Sequence, residues 1–292
     1  MKNFIITSDS SCDLGKKRVD AIDVRCAHLL YNIDGVEYSD DMIEEHINEF
    51  YKKMEAGAMP KTSQISPQGY ANFFKNQLGE NLPILHISLS SGVSGTINSA
   101  RIGAEIVKEE HPDADIRIID STVGSAALGI LLYAAAKYRD KGRSIEEAVN
   151  HIEAIKENVN LIATTDDLTY LRRGGRVSSF GAAASALLKI SPFLTLSKHG
   201  KLHSTAKARG RKAADEKFCS LVADSVVKPQ KQTLFIVHAN ALERAKNLGE
   251  VLKHRLGFKA VEYVKFGTVI GSHAGPGLIA ACFFGKTRSV IL

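Results

Sequence analysis

The sequence predicts an α/β protein of two domains, the first built on a mostly parallel sheet flanked by helices. Short apolar runs alternate with amphipathic segments along the first half, a pattern typical of parallel strands covered by helices. The chain has 292 residues, 44% of them hydrophobic, which is enough to fill a substantial core. Since a new apolar run begins near Leu161, we expect domains at residues 1–160 and 161–292.

In the first half, the apolar runs that predict strands are residues 4–7, 82–89 and 116–119. The segments with helical spacing are residues 42–54, 66–77, 126–139 and 145–157. Ser66 followed by Pro67 is typical of an N-cap with proline in the first helical position. We expect the segment before it, residues 60–65, to be extended and exposed.

The second half begins with an apolar stretch at residues 180–196, broken at Ser191-Pro192, where a helix should stop and a strand begin. A hairpin turn is predicted at residues 198–201. Beyond it, helices are predicted at residues 211–222 and 241–255, and strands at residues 233–238, 261–266 and 278–284. The second domain is therefore predicted to be mixed α/β.

Composition and charge argue against a nucleic-acid-binding protein and against a membrane protein. The net charge of +6 would permit nucleic-acid binding, but carboxylates are interleaved with the cations and tryptophan is absent, so this alternative is the least favoured. An acidic protein partner or a phosphorylated ligand explains the same charge. No apolar run reaches membrane-spanning length and the N-terminus soon becomes polar, so we expect a cytoplasmic protein without stable membrane insertion.

The four cysteines are scattered without a C-x-x-C pair, which argues against a disulfide framework and against a thiolate zinc site. No G-x-G-x-x-G follows the first predicted strand, and the segment GVSGT lacks the lysine of a P-loop. We therefore expect no metal and no cofactor.

The Ser/Gly-rich turn at residues 90–96 follows a predicted strand and opens a predicted helix. Hydroxyls and free backbone N–H groups meet at such a junction, where the helix dipole favours negative charge, so Ser94 and Gly95 are candidates for binding a carboxylate. Polar turns at residues 9–13 and 120–122 follow two other predicted strands. They belong either to the same site at one sheet edge or to ordinary helix caps.

A serine hydrolase is the enzymatic alternative. Ser94, an aspartate such as Asp166 or Asp167, and His273 occur in the chain order of α/β-hydrolases, although Thr96 stands where the nucleophile elbow needs glycine. A serine and a histidine can instead share a bound carboxylate without covalent chemistry. His273 is predicted in a glycine-rich loop whose backbone can approach a ligand closely. Both alternatives stay open on the residues alone.

A basic segment, LRRGGRV at residues 171–177, has two explanations. Cations in the last turn of a helix complement its dipole and a glycine caps it. Alternatively, Arg172 contacts an anion, for which the guanidinium group is well shaped.

Six segments, in this order over nearly the whole chain, carry a family resemblance: DSSCDL at residues 9–14, TSQ at 62–64, SGVSGT at 91–96, LRRGGRVS at 171–178, KARG with KA at 207–213, and HAGPG at 273–277. Together they resemble the DegV family of bacterial fatty-acid-binding proteins, which includes the acyl-carrier subunit of bacterial fatty acid kinase. The resemblance implies a two-domain DegV-like fold that buries one fatty acid between its domains.

By motif, the resemblance implies that Thr62 and Ser94 hydrogen-bond the carboxylate, with Ser63, the Gly95 N–H and His273 as neighbours. It also implies that Arg209 lies on the face that docks the kinase. Such a protein is a carrier rather than an enzyme: it presents the fatty acid to a separate kinase, which forms an acyl phosphate for an acyltransferase step in phospholipid synthesis. The apolar stretch at residues 180–196 either lines the acyl tunnel or is core.

Overall fold

The computed structural model describes residues 2–176 and 190–289. The strands of the first half are β1 (Ile5–Asp9), β2 (Val24–Ala27), β3 (Leu30–Ile33), β4 (Val36–Ser39), β5 (Lys61–Ser63), β6 (Ile84–Ser88) and β7 (Ile116–Asp120). The helices of this half are α1 (Lys16–Ala21), α2 (Glu44–Glu55), α3 (Pro67–Lys75), α4 (Thr96–Glu110), α5 (Ala126–Asp140) and α6 (Ile145–Ile155).

The described strands of the second half are β8 (Val159–Thr164), β9 (Ile190–Leu196), β10 (Leu202–Arg209), β11 (Thr233–His238), β12 (Ala260–Lys265) and β13 (Ile279–Phe284). The described helices are α7 (Thr169–Gly174), α8 (Arg211–Ser225), α9 (Leu242–Leu256) and α10 (Thr268–Ala274). Most of the apolar stretch predicted at residues 180–196 lies outside the described residues, which resume at the start of β9.

The described strands form three sheets. The first is four-stranded and entirely parallel, in the order β2-β1-β6-β7. The second is six-stranded and mixed, in the order β10-β9-β8-β13-β11-β12, with β11 and β12 parallel and its other pairs antiparallel. The predicted α/β class, with a parallel sheet followed by a mixed one, is confirmed.

A small antiparallel sheet of β4, β3 and β5 was not predicted as a sheet. The prediction that residues 60–65 are extended is confirmed over β5. The prediction that they are exposed was only partly right, because Pro60 is buried and Thr62 and Ile65 are half-buried. The expected N-cap is also confirmed: the Ser66 hydroxyl accepts a hydrogen bond from the Gly69 N–H at 3.1 Å, and Pro67 is the first residue of α3.

Helix α5 packs between the two large sheets. It contacts β1 and β6 of the parallel sheet and β8 and β13 of the mixed sheet. Its residues are apolar around most of the helix, as a helix covered on both sides requires. One hydrophobic core therefore extends from Leu85 through Leu128 to Leu161. The expected boundary at residue 160 lies within β8, and the division into two domains stays a prediction.

Candidate functional site

A cavity of about 340 Å³ lies between the parallel sheet and the mixed sheet. Leu89 follows β6, whereas Leu161 and Leu194 lie on β8 and β9, so both sheets supply its walls. The other apolar lining residues are Leu29, Val93, Leu171, Leu196, Leu202, Phe266, Val269, Ile270, Ala274 and Leu278. Cavities of roughly 300–1,000 Å³ with mostly apolar walls are typical of small-molecule sites.

Several polar residues line the cavity, including Ser125 at the start of α5. The Thr62 hydroxyl oxygen is 2.8 Å from Nε2 of His273, and both line the cavity. Ser63, Gln64, Ser94, Gly95 and Arg176 line it as well. The structure therefore brings all five of the residues that were predicted to bind or neighbour a carboxylate, Thr62, Ser63, Ser94, Gly95 and His273, to one cavity. We call Thr62, Ser94, Gly95 and His273 the head-group cluster.

Ser94 and Gly95 occupy the loop that opens α4, as predicted. The Ser94 hydroxyl accepts a hydrogen bond from the Thr96 N–H at 3.2 Å, which leaves its own O–H to donate elsewhere. Gly95 is the N-cap of this 15-residue helix. A Cβ at Gly95 would lie 2.8 Å from Oε1 of Gln64, so a side chain here would displace Gln64 from the cavity wall.

The prediction that His273 lies in a loop was wrong, because residues 268–274 form α10. Of the three glycines that suggested a loop, Gly271 lies within this helix and is needed for close packing, because a Cβ there would lie 2.6 Å from the Tyr51 hydroxyl oxygen. Gly275 and Gly277 follow the helix and do have positive φ angles, 72° and 88°. Gly174, in α7, has a role similar to that of Gly271, since its Cβ would lie 2.5 Å from Nδ1 of His273. Helices α7 and α10 therefore hold the imidazole ring between them.

Burial, followed by the positive charge of Arg176, lowers the pKa of His273 to about 4. The imidazole is therefore neutral near pH 7, with one donor and one acceptor nitrogen. The His273 ring therefore offers hydrogen bonds but no charge to the head-group cluster. The positive charge of the cavity wall comes from Arg176.

Two buried carboxyl groups lie at the start of α10. Asp13 Oδ1 accepts a hydrogen bond from the Gly267 N–H at 2.9 Å. Burial raises the pKa of Asp13 well above its usual range and that of Asp40 to about 6. Asp9, in the same predicted turn, accepts a hydrogen bond from the Leu89 N–H at 2.8 Å. None of these aspartates lines the cavity.

Two other predicted residues lie away from the cavity. Arg172 is exposed in the last turn of α7 and does not line the cavity, whereas Arg176 does. Gly175 caps this helix in the left-handed conformation with φ 63°, as the structural explanation of the basic segment predicted. Arg209 is exposed on β10, the edge strand of the mixed sheet.

The geometry of a serine hydrolase is not assembled. His273 Nε2 pairs with Thr62 rather than with Ser94, and no carboxylate in the described part of the chain hydrogen-bonds the imidazole. Asp166 forms an ion pair with Arg211 and accepts a hydrogen bond from Ser191 at 2.5 Å. Ser94 therefore has no general base in position.

Within residues 2–176 and 190–289, no group of three or more His, Cys, Asp or Glu side chains is arranged to hold a metal ion. None of the helices described there has the length and apolar character needed to cross a bilayer.

The fold and this cavity define a class of α/β proteins with a parallel sheet, a mixed sheet and a mostly apolar cavity whose wall includes hydroxyl groups and an imidazole. The chain belongs to the DegV family, because the model described as "Uncharacterised protein, DegV family" matches residues 3–286. A DegV domain-containing protein of Clostridium perfringens is 38% identical over 289 residues, which cover 99% of each chain.

Two solved structures share the fold. A DegV lipid-binding protein from Thermotoga maritima is 28% identical, with a TM-score of 0.83 and coverage of 99% of this chain and 100% of that one. A DegV family protein from Eubacterium eligens, loaded with heptadecanoic acid, is 27% identical, with a TM-score of 0.84 and coverage of 97% and 100%.

Proposed function

We propose that this protein binds one long-chain fatty acid, with the hydrocarbon chain in the cavity and the carboxylate at the head-group cluster. The observation that carries the proposal is the composition of the cavity wall. Most of the wall is apolar, Thr62 and His273 are hydrogen-bonded to each other within it, and Arg176 is the one charged residue among the described residues that line it. The other polar side chains of the wall are Ser63, Gln64, Ser94 and Ser125. A relative of the same fold loaded with heptadecanoic acid supports the proposal.

The two parts of the cavity have different energetic roles. Each methylene group moved from water into an apolar site contributes about 0.8 kcal/mol, so a long chain supplies on the order of 10 kcal/mol of gross driving force. A carboxylate buried without donors costs several kcal/mol. The walls therefore provide the affinity, and the head-group cluster determines the ligand class and its orientation.

The neutral imidazole explains how Thr62 donates to the carboxylate. If Nε2 of His273 carries the proton, it donates to the Thr62 oxygen at 2.8 Å, and the Thr62 O–H is directed to another acceptor. The Ser94 O–H and the N–H groups at the start of α4 supply further donors. A carboxylate can accept all of these because each oxygen has two lone pairs.

We further propose that the protein acts as the carrier for a separate kinase, which feeds phospholipid synthesis through an acyltransferase. A carboxylate oxygen of the bound fatty acid would attack the γ-phosphorus of a nucleoside triphosphate held by the kinase. The bond to the β-phosphate would break, so that an acyl phosphate forms and the nucleoside diphosphate leaves. The role of this chain is to hold the carboxylate in place and to keep water from the acyl phosphate.

The exposed face of β10 supports this partnership. Side chains alternate along a strand, so Lys207 and Arg209 point to the same side and are exposed, whereas Ala206 and Ala208 pack against the second core. Neither cation forms an ion pair with a residue of the described chain. An acidic surface on the kinase would complement this face.

We expect Arg209→Gln to slow kinase-dependent formation of acyl phosphate at least tenfold while leaving fatty-acid affinity within about twofold. The reason is that Arg209 is exposed and does not line the cavity. Turnover of bound fatty acid with kinase and nucleoside triphosphate measures the effect. Arg255→Gln, which removes an exposed cation of α9, is the control. Unchanged turnover in Arg209→Gln would remove Arg209 from the docking face.

Mass spectrometry of lipid extracted from the purified protein tests the function most directly. We expect free fatty acid at a ratio of about one per chain, because a buried acyl chain dissociates slowly. Protein without bound lipid that also fails to take up added fatty acid would contradict the proposal. Steady hydrolysis of esters that is abolished by Ser94→Ala would instead support the alternative that the protein is a serine esterase.

A further inference from the structure

Two buried carboxyl groups, those of Asp13 and Asp40, meet at the start of α10. Asp13 Oδ1 accepts a hydrogen bond from the Gly267 N–H at 2.9 Å. A Cβ on Gly267 would lie 2.8 Å from this oxygen and 3.3 Å from Oδ2 of Asp40, so both carboxyl groups pack against the same glycine. Thr268, the first residue of α10, lies beside Asp40. The two side chains therefore hold the point at which α10 begins.

The other end of α10 carries His273 of the head-group cluster. Two backbone hydrogen bonds connect the ends: the Gly271 N–H donates to the Gly267 oxygen at 2.8 Å, and the Gly275 N–H donates to the Gly271 oxygen at 2.9 Å. A displacement of the start of this short helix is therefore transmitted to the imidazole. The hydrogen bond of 2.8 Å between His273 and Thr62 would change with it.

The two carboxyl groups lie in the core without a cation to compensate them. Asp13 is 4% exposed and Asp40 is 1% exposed, and neither forms an ion pair within residues 2–176 and 190–289. Two carboxylates held this close in a buried site repel each other, so they do not both ionise near pH 7. Burial above all, and then the charge of Asp40, raises the pKa of Asp13 well above its usual range.

The other ionisable groups around the pair do not supply a positive charge. Those nearest to the two carboxyl groups are Asp9, Cys12, Tyr31, Asp41, Tyr51 and Cys282. Asp13 also lines a cleft with Arg18, Glu44, His238, Glu243, Arg244, Tyr263 and Lys265. The cations of this cleft have other partners: Arg18 pairs with Glu262, Arg244 pairs with Asp215, and Lys265 donates to Asn48. Burial lowers the pKa of His238 to about 4, so this ring is neutral near pH 7.

We propose that Asp13 and Asp40 form a carboxyl pair that shares one proton and thereby positions His273 in the head-group cluster. This inference rests on the proposed function and adds a pH-dependent control of the same site. While the pair holds its proton, a single negative charge faces the N–H groups at the start of α10. When the proton is lost, two like charges repel each other beside Gly267 and displace the helix. The affinity for the carboxylate of a fatty acid then falls.

The test follows the imidazole nitrogen resonances of His273 by NMR in delipidated, nitrogen-15-labelled protein from about pH 6 to about pH 9. These resonances are assigned by their loss in His273→Gln. Because burial lowers the pKa of His273 to about 4, the ring does not titrate in this range, and any shift reports a change in its surroundings. We expect the His273 resonances to shift with pH in the parent and to stay constant in Asp13→Asn, whose amide has no proton to release.

Asp13→Asn is a conservative change at this position. Asp13 has φ 51°, a conformation that Asp and Asn adopt more readily than most residues, and the amide oxygen can still accept from the Gly267 N–H. Between the two ends of the pH range, fatty-acid affinity should fall at least five times more in the parent than in this variant. Ionisation of the fatty acid itself cancels in that ratio. Asp115→Asn is the matched control, because this carboxylate pairs with Arg117 and lies outside the cavity wall.

Several outcomes would overturn the carboxyl pair while the proposed function stands. These are His273 resonances that do not move in the parent, resonances that move equally in Asp13→Asn, and affinities that change in parallel in the two proteins. A constant His273 resonance in Asp115→Asn would indicate a general effect of charge and would also overturn the pair. If Asp13→Asn does not fold, Asp40→Asn removes the other half of the pair and decides the question in the same way. A parent protein that binds no fatty acid would overturn the proposed function, whereas the His273 resonances would still report whether the pair acts through α10.

Discussion

Replacing Thr62 and Ser94 together by alanine is expected to lower the affinity for a long-chain fatty acid at least a hundredfold. Both residues line the cavity, and in the proposed binding mode each hydroxyl donates to the carboxylate. A hydrogen bond to a charged group contributes about 1.5–3 kcal/mol. Since 1.4 kcal/mol corresponds to a factor of ten, two such bonds account for a hundredfold or more. Thr62→Ala also leaves Nε2 of His273 without its partner at 2.8 Å.

Displacement of a fluorescent fatty acid from delipidated protein measures this loss, and thermal unfolding shows whether the fold is kept. The control is the double substitution Thr205→Ala with Ser220→Ala, which removes two hydroxyls that do not line the cavity. The two single variants allow a double-mutant cycle, which reports whether the hydroxyls act on the same group. Affinity within threefold of the parent in the Thr62/Ser94 variant would place the carboxylate elsewhere.

The second large effect is expected from Leu161→Trp, which should favour shorter fatty acids. Leu161 lies on β8 with its side chain in the cavity wall, so the larger indole would occupy space that the acyl chain needs. If the indole excludes about four methylene groups from the cavity, roughly 3 kcal/mol of transfer free energy is lost. The affinity for a long-chain fatty acid should then fall about a hundredfold. Chains short enough to end before the indole should bind as in the parent.

A series of saturated fatty acids, measured with parent and variant, shows whether the preferred length moves. Leu161→Met is the matched control, because it nearly conserves side-chain volume and is expected to leave the preference unchanged. Leu161→Ala enlarges the same region of the cavity, so it should not weaken the binding of the longest fatty acids more than that of the shorter ones. An equal loss for every chain length in Leu161→Trp, with the fold intact, would mean that the acyl chain does not pass Leu161.

Several elements were predictable from the sequence because their signals are local. The start of α3 is set by two adjacent residues: the Ser66 hydroxyl caps the helix, and the Pro67 ring occupies its first position. The hairpin turn at residues 198–201 was predicted from the local sequence KHGK. The structure has this turn, which the Ser197 N–H closes by donating to the Lys201 carbonyl oxygen at 2.9 Å. Apolar periodicity likewise identified most of the longer helices, including α5, which both sheets cover, but it did not identify the short helix α1.

Other features depend on distant contacts and had no local signal. The small sheet was missed because β4 is polar and mostly exposed, so its pairing with β3 leaves little apolar alternation. Helix α10 was interpreted as a loop because glycine close-packed against Tyr51 looks the same in sequence as glycine in a turn. Gln64 and Arg176 were not predicted as cavity residues, although each lies within a segment that carried the family resemblance.

By itself, the sequence determined the α/β class, the order of most elements, and a set of hydroxyl, glycine and histidine residues suited to a carboxylate. Tertiary structure alone decided which of these residues meet. Thr62 and His273 are 211 positions apart, and their hydrogen bond depends on how α10 packs against β5 and α7. Periodicity and capping are properties of neighbours in the chain, whereas a site is made by side chains that core packing brings together.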